Sequence, residues 1–217
     1  MRESIIRAIQ YAQETPLVWV LEFLFGLLPE ASPTLSPAER RVLTDLEKAF
    51  FILAPKGKQC VIAMIGLTGD GKTHIAEKLA RESGATLISS DTIRVLLHKK
   101  GCGYSNVNTI VRRLMFYVLA QGGSVVLDSD HVPPNKRGSL NSTLRELGIV
   151  PEYVRVIADR RDALRWIQSG EYAGTIYDPK IANPEYGLSG RRLKMFERER
   201  HQAWHYLRDG TPRKFLF

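Results

Sequence analysis

The sequence predicts an α/β fold, on three observations. A glycine-rich loop, Gly66 to Thr73, lies between a short apolar run at Val61–Ile65 and a segment of helical character. Short runs of strand-forming residues alternate with longer segments whose apolar residues recur at helical spacing. The run Gly123–Asp130, GSVVLDSD, closes on acids, which sets polar side chains at a strand end, where open α/β folds bind ligands.

The loop comes first because the rest is organised around it. Gly66-Leu67-Thr68-Gly69-Asp70-Gly71-Lys72-Thr73 fits the pattern Gly-x-x-x-x-Gly-Lys-Ser/Thr at every required position. The chemistry demands these residue types. Glycines at 66, 69 and 71 let the backbone take positive φ and bring successive N–H groups close to phosphate oxygens, where a Cβ would clash. Lys72 adds a compact charge for the β- and γ-phosphates, and Thr73 offers a hydroxyl to Mg²⁺. The helix that begins here, His74 included, points its positive dipole end at the same anion. A chance glycine turn is the bland alternative, and the strand before and helix after it argue against that. The loop therefore reads as a phosphate-binding P-loop for a nucleoside triphosphate.

Length and charge set bounds. The 217 residues carry 31 Lys and Arg against 23 Asp and Glu, a formal net charge of +8. That length suits one α/β domain with an appendage, divided here as a helical extension over residues 1–55 and a main domain over 56–217. A hydrophobic content of 44% excludes a disordered chain. The basic balance favours polyanionic partners, nucleic acid or an anionic surface, although nucleotide binding accounts for part of it. Cys60 and Cys102 share no metal-ligand spacing and no second pair accompanies them, so neither a zinc site nor a disulfide framework is indicated and a reducing cytoplasm is the preferred reading. Met1–Thr15 lacks a signal-peptide layout.

Within the extension, Leu17–Leu28 is the most apolar stretch, interrupted by Glu22 and Gly26. It falls short of the ~20 residues that span a bilayer, so a buried helix is preferred to an interfacial anchor. Pro29–Pro37 is a linker by composition. Ser36, Pro37 and Glu39 then form a capping-box start, and Val42, Leu43, Leu46, Phe50 and Leu53 extend the helix to about Leu53 with one buried face.

Beyond the P-loop helix, Ala85–Ser89 reads as a second strand, followed by Asp91 and Arg94. With Asp91 as the cap of the next helix, the spacing sets both side chains at the carboxyl edge of the sheet. There Asp91 serves as base or orienter for an attacking hydroxyl and Arg94 as a phosphate contact, against an ordinary cap with a surface arginine. Asn106–Gln121 is an apolar-faced helix. The strand that ends at Asp128 has the layout whose carboxylate holds Mg²⁺ directly or through water. His131 could orient substrate, although a lone histidine more often satisfies a loop. Pro133-Pro134 opens a helix carrying Lys136 and Arg137, and Glu152–Ala158 is a further strand. Past it lie Arg160, Arg161 and Arg165, where lids place positive charge over a transferring phosphoryl group; spacing does not rank the three. A lid or insert is expected around residues 159–190, since 170–187 is long, loop-like and dotted with tyrosines and prolines. The charged helix at Leu193–Leu207 is the best candidate for a polyanion-facing surface, and Arg213–Phe217 for a last short strand.

The order of these motifs resembles the P-loop kinase group that contains the polynucleotide 5′-hydroxyl kinases and the zeta-toxin-type kinases, within the P-loop NTPase superfamily. The resemblance runs from Val61 to Gln168, through the P-loop, Asp91-x-x-Arg94, the acid Asp128, Arg137 and the arginine-bearing segment. It implies a three-layer α/β/α sandwich with a central parallel sheet and the P-loop strand in its middle. It also implies ATP and Mg²⁺ as cofactors and transfer of the γ-phosphoryl group to a hydroxyl acceptor: a nucleic-acid 5′ end, a nucleoside or a sugar-type small molecule. By position Lys72 and Thr73 match the phosphate and metal residues, Asp91 the hydroxyl-activating aspartate, Arg94 its motif arginine and Asp128 the strand-ending acid. The group often continues with Thr-Asn where this chain has Asp130-His131. The competing function is a nucleotide-dependent regulatory or binding module that uses the same pocket as a switch without transfer to an acceptor.

Overall fold

The computed structural model describes residues 34–159, apart from positions 56, 68 and 133, together with Asp162. The apolar stretch Leu17–Leu28, the arginines Arg160, Arg161 and Arg165, the loop 170–187, the helix expected at Leu193–Leu207 and the strand expected at Arg213–Phe217 lie outside the described residues.

Helix α1 spans Pro37–Ala49. Its capping box forms as the sequence predicts: the Glu39 N–H donates to Ser36 Oγ at 3.3 Å, and the Ser36 N–H donates back to Glu39 Oε2 at 2.7 Å. It stops four residues short of Leu53. Phe50 is already extended, and Ile52 presses its Cγ2 into the space that a Cβ at Gly123 would fill. The apolar run Phe50–Leu53 reads equally as another helical turn or as an extended strap, and packing against Gly123 selects the strap.

Four strands follow: β1 at Val61–Ile65, β2 at Thr86–Ser89, β3 at Val125–Asp128 and β4 at Glu152–Arg155. They pair in the order β2-β3-β1-β4, all parallel. β1 is therefore internal, flanked by β3 and β4, and its five residues are buried throughout, which is why it reads as an unbroken apolar run rather than an alternating one. The helices between the strands are α2 (Lys72–Ser83), α3 (Ser90–Lys99), α4 (Val107–Ala120) and α5 (Pro134–Arg145).

The strand pleat sorts side chains onto two faces. Ile62, Met64, Val126 and Val154 point to one side and pack with Ala76 and Ala80 of α2. Val61, Ala63, Ile88, Val125 and Leu127 point to the other, into a larger cluster with Val42 and Leu43 of α1, Ile93 and Leu97 of α3, Ile110, Leu114 and Val118 of α4 and Leu144 of α5. Helices thus cover both faces, giving the expected α/β/α layering. Helix α1 belongs to the same core as the sheet. Its buried Glu39 also accepts a hydrogen bond from Asn106 Nδ2 at 2.9 Å, which ties α1 to the residue that opens α4.

Candidate phosphate and metal site

The loop after β1 is shaped by its own backbone and by one buried acid. Asp70 Oδ2 accepts the Leu67 N–H at 2.8 Å, while the Asp70 N–H donates to the Leu67 carbonyl at 3.1 Å. Gly69 and Gly71 sit at φ 83° and 80°, in the left-handed region that only glycine enters cheaply. Gly71 is also the N-cap of α2, so the first N–H groups of that helix open onto the loop. At Gly66 a Cβ would lie 2.7 Å from the Val156 carbonyl and 3.1 Å from Lys72 Cγ. The backbone is there because no side chain is. The positive-φ glycines and the open N-terminus of α2 form an amide-lined cradle that fits a polyphosphate tail. Lys72 holds its ammonium over it, Nζ donating to the Leu67 carbonyl at 2.8 Å. His74 is exposed on the first turn of α2, and Thr68 lies outside the described residues.

Across from the loop, Thr73 Oγ1 donates to Asp128 Oδ2 at 2.9 Å, over 55 residues of sequence. Asp128 ends β3 and is 7% exposed. Burial pushes its carboxyl above the ordinary carboxylate range; the Thr73 hydrogen bond and the Lys72 charge oppose that, Asp91 adds to it, and Ser89 opposes it again. A hydroxyl and a carboxylate are hard oxygen donors, the set that suits Mg²⁺. Among the described residues no cluster of three His, Cys, Asp or Glu side chains could hold a metal.

Asp91 and Arg94 stand beside this pair, although not by the route expected. The cap of α3 is Ser89, whose Oγ accepts the Thr92 N–H at 3.5 Å; Asp91 lies within the first turn instead. The strand ends at Ser89, so Ser89 takes the cap and Asp91 moves one residue into the helix. Ser89 is in register with Asp128 across the β2/β3 pair, which keeps the first turn of α3 next to the strand-ending acid. Arg94 Nη1 is 2.7 Å from Asp91 Oδ1, both side chains partly exposed at 33% and 41%. The hydroxyls of Ser90 and Ser129 are hydrogen-bonded to each other, joining the α3 turn to the residue after Asp128. Ser89, Ser90 and Ser129 were not singled out from sequence. The only signal for any of them is a serine three residues before Thr92.

The segment after β3 turns its members in different directions. Asp130 faces out, its side chain accepting the Val132 N–H at 3.0 Å and pairing with Lys136 at 3.3 Å. His131 faces in and is 8% exposed; its Nδ1 lies 3.2 Å from the Met64 carbonyl and 3.3 Å from that of Ser129. Burial lowers its basicity, with those two backbone bonds opposing. Arg137 is buried too, and its Nη1 donates to the carbonyls of His131, at 3.1 Å, and Val132. Tyr153 of β4 donates its hydroxyl to Asn141 Oδ1 at 2.8 Å and to the Arg137 carbonyl at 3.2 Å.

The described residues thus bring Gly66, Gly69, Asp70, Gly71, Lys72, Thr73, Asp128, Asp91 and Arg94 to the carboxyl edge of one parallel sheet. No curated protein matches the chain. A family model described as an AAA domain matches residues 61–179, more than half of the chain. The chain belongs to that family, and its core is a nucleotide-binding domain of the P-loop NTPase type.

Proposed function

We propose that this protein is a P-loop kinase that moves the γ-phosphoryl group of ATP to a hydroxyl of an acceptor, like the polynucleotide 5′-hydroxyl kinases and zeta-toxin-type kinases it resembles. The observation that carries this reading is the Asp91–Arg94 pair, Asp91 on the first turn of α3 and Arg94 three residues on, with that turn set beside Asp128 by the Ser89 register. Holding a nucleotide requires the loop, Lys72, Thr73 and Asp128. A further acid and cation at the same edge supply what transfer to an acceptor needs.

In this reading the loop amides and Lys72 hold the β- and γ-phosphates. Thr73 and Asp128 would hold Mg²⁺, which supplies neutralising charge between the phosphates when bound. Asp91 orients the acceptor hydroxyl and takes its proton; the hydroxyl oxygen bonds to the γ-phosphorus as the bond to the bridging oxygen breaks and ADP leaves. Arg94 neutralises charge on the transferring group, and Arg160, Arg161 and Arg165 are proposed to close over it. The acceptor is a nucleic-acid 5′ end, a nucleoside or a sugar-type small molecule, and the basic surface is the proposed contact for a polyanionic one. Residues 1–55 form the proposed extension, with α1 as the part of it built into the core. The proposed location is the cytoplasm.

The test is incubation with γ-labelled ATP, magnesium and a panel of nucleic-acid ends, nucleosides, sugars and nucleotide sugars. Label recovered on an acceptor, and lost in Asp91→Ala, supports the kinase. Label released only as inorganic phosphate, at a rate raised by a macromolecular partner and not by any acceptor, supports the regulatory module instead.

A further inference from the structure

We infer that His131 is a positioning residue for the Mg²⁺ site, a clamp between the P-loop strand and the turn that directly follows Asp128 at the end of β3; this rests on the metal role proposed above for Thr73 and Asp128. In a strand, successive carbonyls point to opposite neighbours. The Ile65 carbonyl accepts the Val156 N–H from the β4 side at 2.8 Å, and the Cys60 carbonyl accepts the Val125 N–H from the β3 side at 3.0 Å. The Met64 carbonyl therefore points toward β3. In steps of two from Val125 and past Leu127, the donor that would meet it falls at Ser129, beyond the end of β3 at Asp128. His131 stands in for it. Its Nδ1 faces two carbonyl oxygens, Met64 at 3.2 Å and Ser129 at 3.3 Å, and neither can donate, so Nδ1 carries the hydrogen and gives it to both.

One ring N–H thus fastens the residue two before Gly66 to the residue after Asp128. Arg137 holds the far side of the same turn through the His131 and Val132 carbonyls. Directly before the fastened turn, Asp128 stays 2.9 Å from Thr73. Without the ring hydrogen, the Met64 carbonyl would be left buried without this partner, and the turn would be free to drift from the loop.

Side-chain isosteres separate this from a general packing role. The amide nitrogen of asparagine reaches the place of Nδ1; that of glutamine reaches the place of Nε2; leucine fills space and donates nothing. The measurement is the ratio of the ATP dissociation constant in EDTA to that in excess Mg²⁺, by fluorescence or calorimetry, for the full chain and for His131→Leu, His131→Gln and His131→Asn, each checked for native circular dichroism. The clamp predicts a ratio reduced about tenfold in His131→Leu and His131→Gln, and restored toward wild type in His131→Asn. Unchanged ratios in all three variants, or an Asn variant no better than Leu, would overturn the clamp. A wild-type ratio of one would overturn the metal role itself and the clamp with it, which is a different result from a magnesium-dependent wild type with indifferent variants.

Discussion

The two sides of the site are built by different means. The phosphate side is largely a property of one short stretch: β1, three glycines and the first turn of α2 are contiguous from Val61 to Thr73, and the hydrogen bonds within the loop join residues three to five apart, although Gly66 also abuts the distant Val156 carbonyl. The acid side is assembled from the ends of β2 and β3 by contacts across the chain. Thr73 meets Asp128 over 55 residues, Ser90 meets Ser129 over 39, and His131 meets Met64 over 67. A cradle made of main-chain amides needs backbone conformations that glycine supplies locally. The proposed metal and acceptor site draws on side chains at the ends of different strands, which the sheet order brings together.

That contrast can be broken by mutation. The largest effect belongs to Asp91→Ala, which should lower phosphoryl transfer about 10²- to 10⁴-fold while leaving ATP affinity near wild type, read by initial rates with labelled ATP and by titration. Parallel loss of affinity would mean that the acid and phosphate sides are not separable. Next is Lys72→Ala, which should weaken ATP binding by roughly 10- to 100-fold through loss of a charge-assisted contact. Gly66→Ala should weaken it by a comparable or smaller factor, because the new methyl meets the Val156 backbone rather than a movable side chain. If Gly66→Ala binds ATP like wild type, the close approach at this glycine is not what forms the cradle.

The smallest predicted effect sharpens the comparison away from the site. Burial of Glu39 works against its ionisation, but hydrogen bonds from the Ser36 N–H, Asn106 and the Ser36 hydroxyl outweigh it and hold the carboxyl below its ordinary value of 4.5. A lowered acid stabilises the fold above its unfolded value, and that contribution fades as pH falls through the folded value. Glu39→Gln should therefore cost about 1 kcal/mol in urea unfolding at pH 7, and the gap to wild type should close below about pH 4.5. A gap that stays constant into acid would mean that the α1–α4 link does not depend on the Glu39 charge.

How much was legible in the sequence follows the same division. The P-loop and the strand-ending Asp128 are readable, because the first depends on local backbone geometry and the second on a run of buried residues, while the parallel sheet with β1 internal is what the resemblance implies and the sheet order bears out. Helix α1 was placed correctly at its start, where Ser36, Pro37 and Glu39 carry their own cap, and overrun at its end, where Phe50–Leu53 obey contacts with Gly123. The cap of α3 was assigned to Asp91 because both serine and aspartate suit that position; the end of the β2/β3 register settled it on Ser89. His131 was read as a lone loop histidine with a possible substrate role. Its bond to Met64 could not be seen before the sheet order brought β1 beside β3.

The most direct measurement of the central claim is calorimetric titration of the folded chain with ATP in magnesium, with Gly66→Ala and Lys72→Ala alongside. The account predicts saturable binding by wild type and weakened binding by both variants. No association of well-folded protein with ATP, GTP or their diphosphates would contradict it.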